Sequence, residues 1–274
     1  MKYTCSVCGH NTLKNYHMKI HVKDNHTYPP LIDPEIDYKH AKKMMSDIPV
    51  YWINLDRSSN RKDIMNDMFE KINIKHIRIV AYDGNIIDSY KEINCNSDIT
   101  SYEIGCTFSH FKAIKTAYDS GENMITVMED DMGIDFIDKW EKSLGEICES
   151  APDDWEIVKL HSQQAGYMGD LIKISHIENF VSWNPESYGT CTYIINRKGM
   201  KKVIDLYYKD EKWIVNYENA VADTILYDST ITYDYTKPLF NPRMMKSTIK
   251  ASHNTSDLLV YNTVRYYYDH DYAK

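Results

Sequence analysis

Two features that mark membrane and secreted proteins are missing from this sequence. It contains no apolar run of about 18 residues and no charged segment followed by an apolar leader, so it predicts neither a transmembrane helix nor a secretory signal. Cysteine is also scarce. The chain has six, and four of them are scattered in a way that does not suggest a disulfide framework. We therefore expect a protein of a reducing compartment, the cytoplasm.

An excess of positive charge is missing as well. The chain carries 32 lysines and arginines against 40 acidic residues, a net charge of −8, which argues against a broad basic face for nucleic acid or an anionic membrane. Phenylalanine is scarce (6) while tyrosine is frequent (23), a balance that favours half-buried aromatic side chains with one polar end. What is present is a globular composition over 274 residues, which suits one medium domain with an appendage.

The first 27 residues stand apart because they carry the spacing of a two-cysteine, two-histidine zinc site. The expected ligands are Cys5, Cys8, His21 and His26. Two thiolates and two imidazoles make a closed tetrahedral site for a structural Zn²⁺. His17 lies one turn before His21, so a ligand pair of His17 and His21 remains an alternative. The pattern predicts a small ββα zinc finger over residues 1–27.

The same segment offers little for reading a DNA sequence. The positions that would face bases are Lys14, His17 and Ile20, and isoleucine cannot hydrogen-bond a base edge. A single finger also buries little surface on DNA. We expect the finger to dock a protein, with nucleic acid as the less favoured partner.

A stretch with several prolines separates the finger from the rest of the chain. Pro29, Pro30 and Pro34 disfavour regular pairing and predict an extended linker, with a short polar helix near residues 38–46. The expected parts of the chain are the finger (1–27), the linker (28–47), a catalytic body (48–252) and a tyrosine-rich tail without a strong period (253–274).

Strand and helix patterns alternate along the body and predict an α/β fold. The first strand, helix and strand imply parallel pairing with a right-handed crossover. The predicted strands cover residues 50–55, 76–82, 124–128, 155–161, 171–175, 192–195 and 231–235. The predicted helices cover residues 58–72, 101–119 with a capping box, 135–149, a segment ending near 208, and 218–228, while residues 86–99 indicate a loop.

The body is organised around residues 123–133. The apolar run 124–128 predicts a buried strand that ends at three consecutive carboxylates, Glu129, Asp130 and Asp131. Three like charges in such a place repel one another and lose water, and a hard divalent cation relieves both costs. Mg²⁺ and Mn²⁺ prefer oxygen ligands and keep positions for substrate phosphates. A solvated acidic turn is the alternative that this stretch alone leaves open.

Five short blocks follow one another in order between residues 49 and 252. They are Ile53-Asn54-Leu55-Asp56-Arg57 with Arg61, Ala81-Tyr82-Asp83-Gly84, Glu103-Ile104-Gly105-Cys106 with Ser109-His110, Met128-Glu129-Asp130-Asp131, and Gly189-Thr190-Cys191-Thr192-Tyr193 with Asn196-Arg197-Lys198-Gly199. Together they resemble glycosyltransferase family 25, the lipooligosaccharide and procollagen galactosyltransferase family.

This resemblance implies a fold and a reaction. The expected fold is a GT-A type, Rossmann-like nucleotide-sugar-binding domain with a mixed, mostly parallel sheet. The expected reaction is transfer of a hexose, galactose or glucose first, from a UDP-sugar to a hydroxyl on a glycan or protein, with inversion. Mn²⁺ or Mg²⁺ would neutralise the departing diphosphate.

The resemblance also implies roles for individual residues. Glu129 and Asp131 are the expected metal ligands, His253 is a third, and Asp130 is a ribose or metal contact. The expected donor contacts are Asn54, Leu55, Asp56, Arg57, Arg61, Asp83, Gly84, Ser109 and His110. Asp223 is the expected general base, with Glu186 in reserve.

Plainer interpretations stay open at this point. Arg57 and Arg61 also fit an exposed i,i+4 pair, His110 a core histidine and Asp223 a helix-surface acid. Two other functions also remain as alternatives. One is a zinc-finger binding protein with an inactive transferase-like body, and the other is a glycosyltransferase that acts on modified nucleic acid.

Overall fold

A computed structural model of the chain describes residues 3–4, 11–12, 36–243, 245 and 253–269. Its helices are α1 (Tyr38–Met45), α2 (Ser59–Ile72), α3 (Ser101–Asp119), α4 (Leu144–Glu149), α5 (Ala165–Ile174), α6 (Arg197–Tyr207), α7 (Ala222–Asp228) and α8 (His253–Asp269). Two short 3₁₀ turns cover Gly84–Ser89 and Ile137–Lys139. None of these helices combines the length and the apolar character that crossing a bilayer requires.

The strands are β1 (Tyr3–Thr4), β2 (Asn11–Thr12), β3 (Val50–Asn54), β4 (His76–Val80), β5 (Ile93–Asn96), β6 (Met124–Glu129), β7 (Met132–Gly133), β8 (Ile157–Lys159), β9 (Phe180–Ser182), β10 (Thr192–Asn196), β11 (Tyr208–Lys209), β12 (Lys212–Asn216), β13 (Thr232–Tyr235) and β14 (Asn241–Pro242). A seven-stranded sheet has the order β4-β3-β6-β10-β8-β13-β9. Five of its strands run in one direction and β10 and β9 run against them, which confirms the predicted mixed, mostly parallel sheet.

Both faces of the central sheet are covered, because successive side chains of a strand point to opposite faces. In β3, Val50 and Trp52 join a cluster with residues of α1, α2 and α4. Tyr51 and Ile53 join a second cluster with residues of α3, α6 and α7. All four side chains are buried, so β3 is a strand of a three-layer α/β fold rather than an edge.

The start of the body follows the prediction closely. β3, α2 and β4 form a parallel unit, with Val50 opposite His76, and α2 ends at Asn73 in the left-handed conformation. The predicted capping box at α3 is present, since Thr100 accepts a hydrogen bond from the Glu103 N–H and the Glu103 carboxylate accepts one from the Thr100 N–H.

Two glycines allow α3 to lie directly against the turn that follows β4. A Cβ atom on Gly84 would lie 2.6 Å from the Tyr102 Cα, and one on Gly105 would lie 2.7 Å from the Tyr82 carbonyl oxygen. Contacts this short exclude a side chain at either position, so the close approach of helix and turn depends on glycine.

Several predicted elements are wrong. Residues 171–175 are not a strand but the end of α5, because Met168 packs against Val260 and Val264 of α8. Residues 135–149 are not one helix but a 3₁₀ turn and the short α4, whose start is fixed by a capping box at Ser143. The predicted loop at 86–99 contains β5, which pairs in parallel with β12. In the first and third cases, packing or pairing with a segment distant in sequence outweighs the local pattern, and in the second a local cap divides the predicted helix.

Two stretches outside the predicted body also pack onto it. The short helix predicted near residues 38–46 is present as α1, but its Ala41, Met44 and Met45 are buried in the core rather than part of an extended linker. α8 lies within residues 253–274 and carries the buried Val260, Val264 and Tyr267, which give it a tertiary contact that its sequence period did not reveal.

The zinc finger falls almost wholly outside the described residues. β1 and β2 form a short antiparallel pair with Tyr3 opposite Thr12, as in the hairpin of a ββα finger. The expected ligands Cys5, Cys8, His21 and His26, and the alternative ligand His17, lie outside the described residues. The zinc site therefore stays a prediction.

Candidate active site

A cavity of about 290 Å³ opens at the carboxyl ends of β3 and β6. The parallel register places Ile53 opposite Glu129, so the next residues of the two strands, Asn54 and Asp130, also meet. Ligands of open α/β sheets gather at such strand ends. The predicted site residues that line the cavity are Asn54, Leu55, Arg57, Arg61, Gly84, Ser109, His110, Glu129, Asp130, Asp131 and Asp223.

Asp130 is held by two neighbours and is only 7% exposed. Its Oδ2 accepts a hydrogen bond of 2.5 Å from the Asn54 amide, and its Oδ1 accepts one from Arg61. Arg61 also reaches the Asp131 Oδ2 at 3.1 Å. The guanidinium of Arg61 therefore contacts two of the three consecutive carboxylates, while Asn54 fixes the orientation of the middle one.

Glu129 lies at the end of β6 and is half-buried. Its Oε1 accepts a hydrogen bond of 3.1 Å from the Thr190 hydroxyl. The His110 Nε2 lies 3.5 Å from the same oxygen, which is too long for a good hydrogen bond. The other ring nitrogen of His110, Nδ1, lies 3.2 Å from the Tyr193 hydroxyl. Glu129 is thus positioned by Thr190, just before β10, and by His110 of α3, and it keeps a face toward the cavity.

The charge in the cavity is strongly negative. Its lining includes two guanidiniums, Arg57 and Arg61, and six carboxylates: Glu103, Glu129, Asp130, Asp131, Asp223 and Asp257. Burial raises the pKa of Asp131 to about 7, against the opposing charge of Arg61. Burial and the charge of Glu129 raise the pKa of Asp257 to about 7. An anionic ligand would meet net repulsion here unless a cation accompanied it.

These residues fit a divalent cation. Carboxylate oxygens from Glu129 and Asp131 are the donors that Mg²⁺ and Mn²⁺ prefer. The buried Nε2 of His110 has no hydrogen-bond partner among the described residues, and it faces the same carboxylate. The unpaired nitrogen is a further atom that a bound metal ion would engage, although imidazole suits transition metals and not Mg²⁺. The side chain of His253, the third expected ligand, lies outside the described residues, although its backbone begins α8.

The expected nucleotide contacts divide into two groups. Arg57 lines the cavity, is 40% exposed, and binds Asp83 through Nε at 2.7 Å and Nη2 at 3.3 Å. Asp56 points to Arg78, whose Nη2 lies 2.7 Å away. Asp56 and Asp83 are not among the lining residues, so the structure places them beside the cavity rather than in its wall.

Ser109 and Gly84 serve the packing of α3 as well as lining the cavity. The Ser109 hydroxyl accepts a hydrogen bond of 2.9 Å from the Tyr82 N–H and donates one of 2.5 Å to the Gly105 carbonyl. Since Ser109 is fully buried and both its bonds are internal, it fixes the segment after β4 against the helix.

Asp223 lies in the first turn of α7 and fastens the segment that precedes β10. Its Oδ2 accepts a hydrogen bond of 2.7 Å from the Gly189 N–H, and its Oδ1 accepts one of 2.9 Å from the Thr224 N–H. Gly189 has a φ of +97°, a conformation that favours glycine. Asp223 lines the cavity, whereas the reserve base Glu186 is exposed and is not among the lining residues.

The cavity also contains residues that sequence reasoning did not assign to it. They are Cys106, Gln163, Tyr188, Thr190 and Asp257 among others. Cys106 and Thr190 lie within two of the five blocks that carry the family resemblance, so the sequence holds a signal for both. Asp257 had one weak signal, its i,i+4 spacing from His253, which places both residues on one side of a helix. The tail has no hydrophobic period that would predict a packed helix there.

Known proteins match this chain over the part that builds the cavity. Residues 47–222, more than half of the chain, match the family described as Glycosyltransferase family 25 (LPS biosynthesis protein). The chain belongs to glycosyltransferase family 25. The match ends in the first turn of α7, one residue before Asp223, so Asp223 and Asp257 lie beyond it.

Relatives in this family share low identity with the chain. Procollagen galactosyltransferase 2 of Mus musculus is 25% identical over 182 residues, which cover 61% of this chain and 28% of that protein. The procollagen lysyl hydroxylase and glycosyltransferase of Acanthamoeba polyphaga mimivirus is 26% identical, over 58% of this chain and 19% of that protein. The chain thus spans less than a third of these relatives' length. Mouse xyloside xylosyltransferase 1 matches 60% of the chain with a TM-score of 0.28, too low to support an argument about the fold.

Proposed function

We propose that the chain is a metal-dependent, inverting hexosyltransferase. It transfers galactose or glucose from a UDP-sugar to a hydroxyl group of a glycan or protein acceptor. Galactose is the first donor sugar to test, because several relatives are named procollagen galactosyltransferases.

The observation that carries the proposal is the position of two neighbouring strand ends: β6 ends at carboxylates, and β3 beside it is followed by an arginine. Glu129 ends β6, Asp131 lies two residues beyond it, and Arg57 follows β3, so carboxylates and a guanidinium line one cavity at the ends of two parallel strands. The diphosphate of a sugar nucleotide is anionic and the cavity lining is acidic. The donor therefore needs a guanidinium contact and a cation held by the carboxylates. When bound, Mn²⁺ or Mg²⁺ held by Glu129 and Asp131 would neutralise the charge that develops on the leaving diphosphate.

The other charged side chains of the cavity have different roles. Arg61 contacts Asp130 and Asp131 and keeps these carboxylates in place, so its charge is balanced mainly by groups of the protein itself. Arg57 is the more exposed of the two arginines and is the one that offers a cationic donor to a phosphate. The short bond from Asn54 holds Asp130 away from competing contacts.

Asp223 serves as the general base. An acceptor hydroxyl attacks C1 of the sugar, its proton passes to the Asp223 carboxylate, and the bond between C1 and the diphosphate oxygen breaks with its electron pair on UDP. A single displacement of this kind inverts the configuration at C1. The hydrogen bonds from Gly189 and Thr224 use one lone pair on each Asp223 oxygen and hold the carboxylate still.

The two alternative functions receive less support. An inactive transferase-like body would not need to keep carboxylates, arginine and base around one cavity. A nucleic-acid acceptor would meet a chain with a net charge of −8.

Release of UDP tests the proposal. The full chain is incubated with Mn²⁺ and, in turn, UDP-galactose, UDP-glucose and GDP-mannose, with and without acceptors that bear free hydroxyls. We expect UDP release above background from one of the two UDP-hexoses, and its loss on addition of a chelator. Absence of release from both UDP-sugars with both Mn²⁺ and Mg²⁺ would reject the assignment, and release from GDP-mannose alone would reject the donor.

A further inference from the structure

Three side chains at the edge of the cavity bring different metal-binding atoms together. Cys106 and His110 are one turn apart on α3, and Glu129 ends β6. The Cys106 Sγ, a ring nitrogen of His110 and a carboxylate oxygen of Glu129 all lie within 4.8 Å of one another. Cys106 is a free thiol that is half-buried, and all three residues line the cavity.

The burial and hydrogen bonding of His110 indicate that its Nε2 atom binds a metal ion. Its side chain is 0% exposed, and its Nε2 has no hydrogen-bond partner among the described residues. Leaving a buried polar atom unpaired costs about 1–3 kcal/mol. Its Nδ1 lies 3.2 Å from the Tyr193 hydroxyl, a contact that fixes the ring with Nε2 turned toward Glu129. Metal-binding histidines are oriented in this way by a partner on the other ring nitrogen.

We propose that Cys106, His110 and Glu129 bind one transition-metal ion of the Zn²⁺ or Co²⁺ type, with a further coordination position open to the cavity. The site has three protein ligands and an open side, as catalytic rather than structural zinc sites do. All three ligands belong to regular elements, α3 and β6, so they need no rearranged loop to converge.

The donor set selects among metals. Sulfur and imidazole nitrogen suit Zn²⁺ and Co²⁺, whereas Mg²⁺ takes oxygen ligands and does not bind thiolates well. Glu129 is shared with the carboxylate pair of the proposed hexosyltransferase, and the ion would stand beside the donor diphosphate. Metal binding at these residues nevertheless does not depend on sugar transfer, and we test it without any substrate.

The competing explanation is that His110 only supports Glu129 and Cys106 only fills space. Under that explanation the thiol sulfur takes no part in metal binding, which makes the sulfur the atom to observe. Thiolate bound to Co²⁺ gives a charge-transfer absorption in the near ultraviolet that carboxylate and imidazole ligands do not give.

Cobalt titration of a variant that lacks the predicted finger thiolates is the first experiment. The full chain carrying Cys5→Ser and Cys8→Ser is titrated with Co²⁺ and followed by absorption. We expect one equivalent to bind with a thiolate band. Adding Cys106→Ser should abolish the band, adding His110→Gln should weaken Co²⁺ binding at least tenfold, and adding Cys95→Ser, a half-buried thiol outside the cavity, should change neither.

Absence of a thiolate band in the variant without finger thiolates overturns the proposal, and so does a band that survives Cys106→Ser. Circular dichroism checks that each variant is folded. Failure of this experiment leaves the UDP-release assay unaffected, and a chain without transferase activity can still show the band. The two proposals therefore fail separately.

A second experiment uses the unmodified chain and does not depend on a variant that folds. Alkylation of each cysteine is followed by peptide mass spectrometry with Zn²⁺, with Mg²⁺, or with neither. We expect Zn²⁺ to slow alkylation of Cys106 at least tenfold and to leave Cys95 unchanged, and Mg²⁺ to protect neither. Equal protection of Cys106 by Mg²⁺, or no protection by Zn²⁺, contradicts coordination by the thiolate.

Discussion

The side-chain amide of Asn54 donates a hydrogen bond of 2.5 Å to the carboxylate of Asp130, across the ends of two parallel strands. The Asn54 carbonyl oxygen in turn accepts a bond of 2.9 Å from Arg78 Nε. With Arg61 on its other oxygen, Asp130 has both oxygens engaged by the protein. The side chain of Asp131 is 28% exposed against 10% for Asp130, so the adjacent carboxylate has the freer access to the cavity.

The two neighbouring aspartates should respond differently to the same substitution. Asp131→Asn should reduce hexosyl transfer more than a hundredfold and leave the free energy of unfolding nearly unchanged, because it removes a metal-facing charge that burial already disfavours. Asp130→Asn should destabilise the fold by about 3 kcal/mol, because both Asp130 oxygens accept buried hydrogen bonds, from Asn54 and from Arg61, and an amide can replace only one of these acceptors. Urea unfolding and UDP release measure both effects.

Asp88→Asn, at an exposed position, is the matched control and should change neither quantity. Near-normal transfer by Asp131→Asn with Mn²⁺ present would show that Asp131 is not a metal ligand.

Substitutions of the two arginines after β3 should have different effects, one on the free energy of unfolding and the other on donor binding. Arg61 is buried and bonded to Asp130 and Asp131, so Arg61→Ala should cost about 3–5 kcal/mol of stability. Arg57 is 40% exposed and paired with Asp83, so Arg57→Ala should cost less than about 0.5 kcal/mol. Arg57→Ala should instead lower the donor kcat/KM at least tenfold, through loss of a charged hydrogen bond worth about 1.5–3 kcal/mol.

Melting curves and donor kinetics of the two single variants distinguish these outcomes. Unchanged donor kinetics in Arg57→Ala would return Arg57 to the role of a surface partner for Asp83.

Asp223 should affect chemistry rather than binding. Asp223→Asn keeps an oxygen that accepts the hydrogen bond from Gly189 but removes the proton acceptor, so kcat should fall by about 10²–10⁴ while the donor KM stays within about twofold. Steady-state kinetics with a saturating acceptor measure this. Glu186→Gln, exposed and outside the cavity, is the control, and a loss of activity in that variant alone would reverse the assignment of the base.

Lys159 should give the stability of the fold a pH dependence in the alkaline range. Burial lowers the pKa of this fully buried lysine to about 8, although Asp234 opposes the shift, while a free lysine has a pKa of about 10.4. Between these values the folded state binds fewer protons than the unfolded state, so the free energy of unfolding should rise with pH, by roughly 1–3 kcal/mol. Below about pH 8 both states are protonated, so stability no longer depends on pH through Lys159 and the penalty for burying its charge is fully present.

Urea unfolding between pH 7.5 and 10 measures this contribution as the difference in pH slope between the unmodified chain and a variant without the buried pair, because the pKa values of thiols such as Cys106 and Cys191, which burial raises, act in the opposite direction in this range. The double variant Lys159→Met with Asp234→Asn removes both partners of the buried pair and should lose the rise. A slope that persists in the double variant would assign it to other groups.

The predicted finger should depend on zinc and be separable from catalysis. A chelator should unfold residues 1–27, because formation of a zinc site supplies most of the folding free energy of such a small unit. Deletion of residues 1–27 should leave UDP release unchanged. Loss of activity in the deletion variant would make the finger part of the catalytic body.

Much of the site could be anticipated from local pattern. The strand that ends at Glu129, the unit of β3, α2 and β4, and the capping box at Thr100 and Glu103 all follow from side-chain period and capping chemistry, which act within a few residues. The wrong strand at 171–175 shows the limit of this reasoning, because a short apolar run fits a strand and a buried helix turn equally well. Contact with α8 decided between them.

Residue order and side-chain period alone indicate that three carboxylates stand at the end of one buried strand and that Asn54 and Arg57 stand at the end of another. Which carboxylate faces the cavity depends on contacts between segments that are distant in sequence. The parallel register of β3 and β6 pairs Asn54 with Asp130, and α8 brings Asp257 beside Glu129 and Asp131 from more than a hundred residues away. Such contacts are set by packing and electrostatics between distant segments, and no local period encodes them.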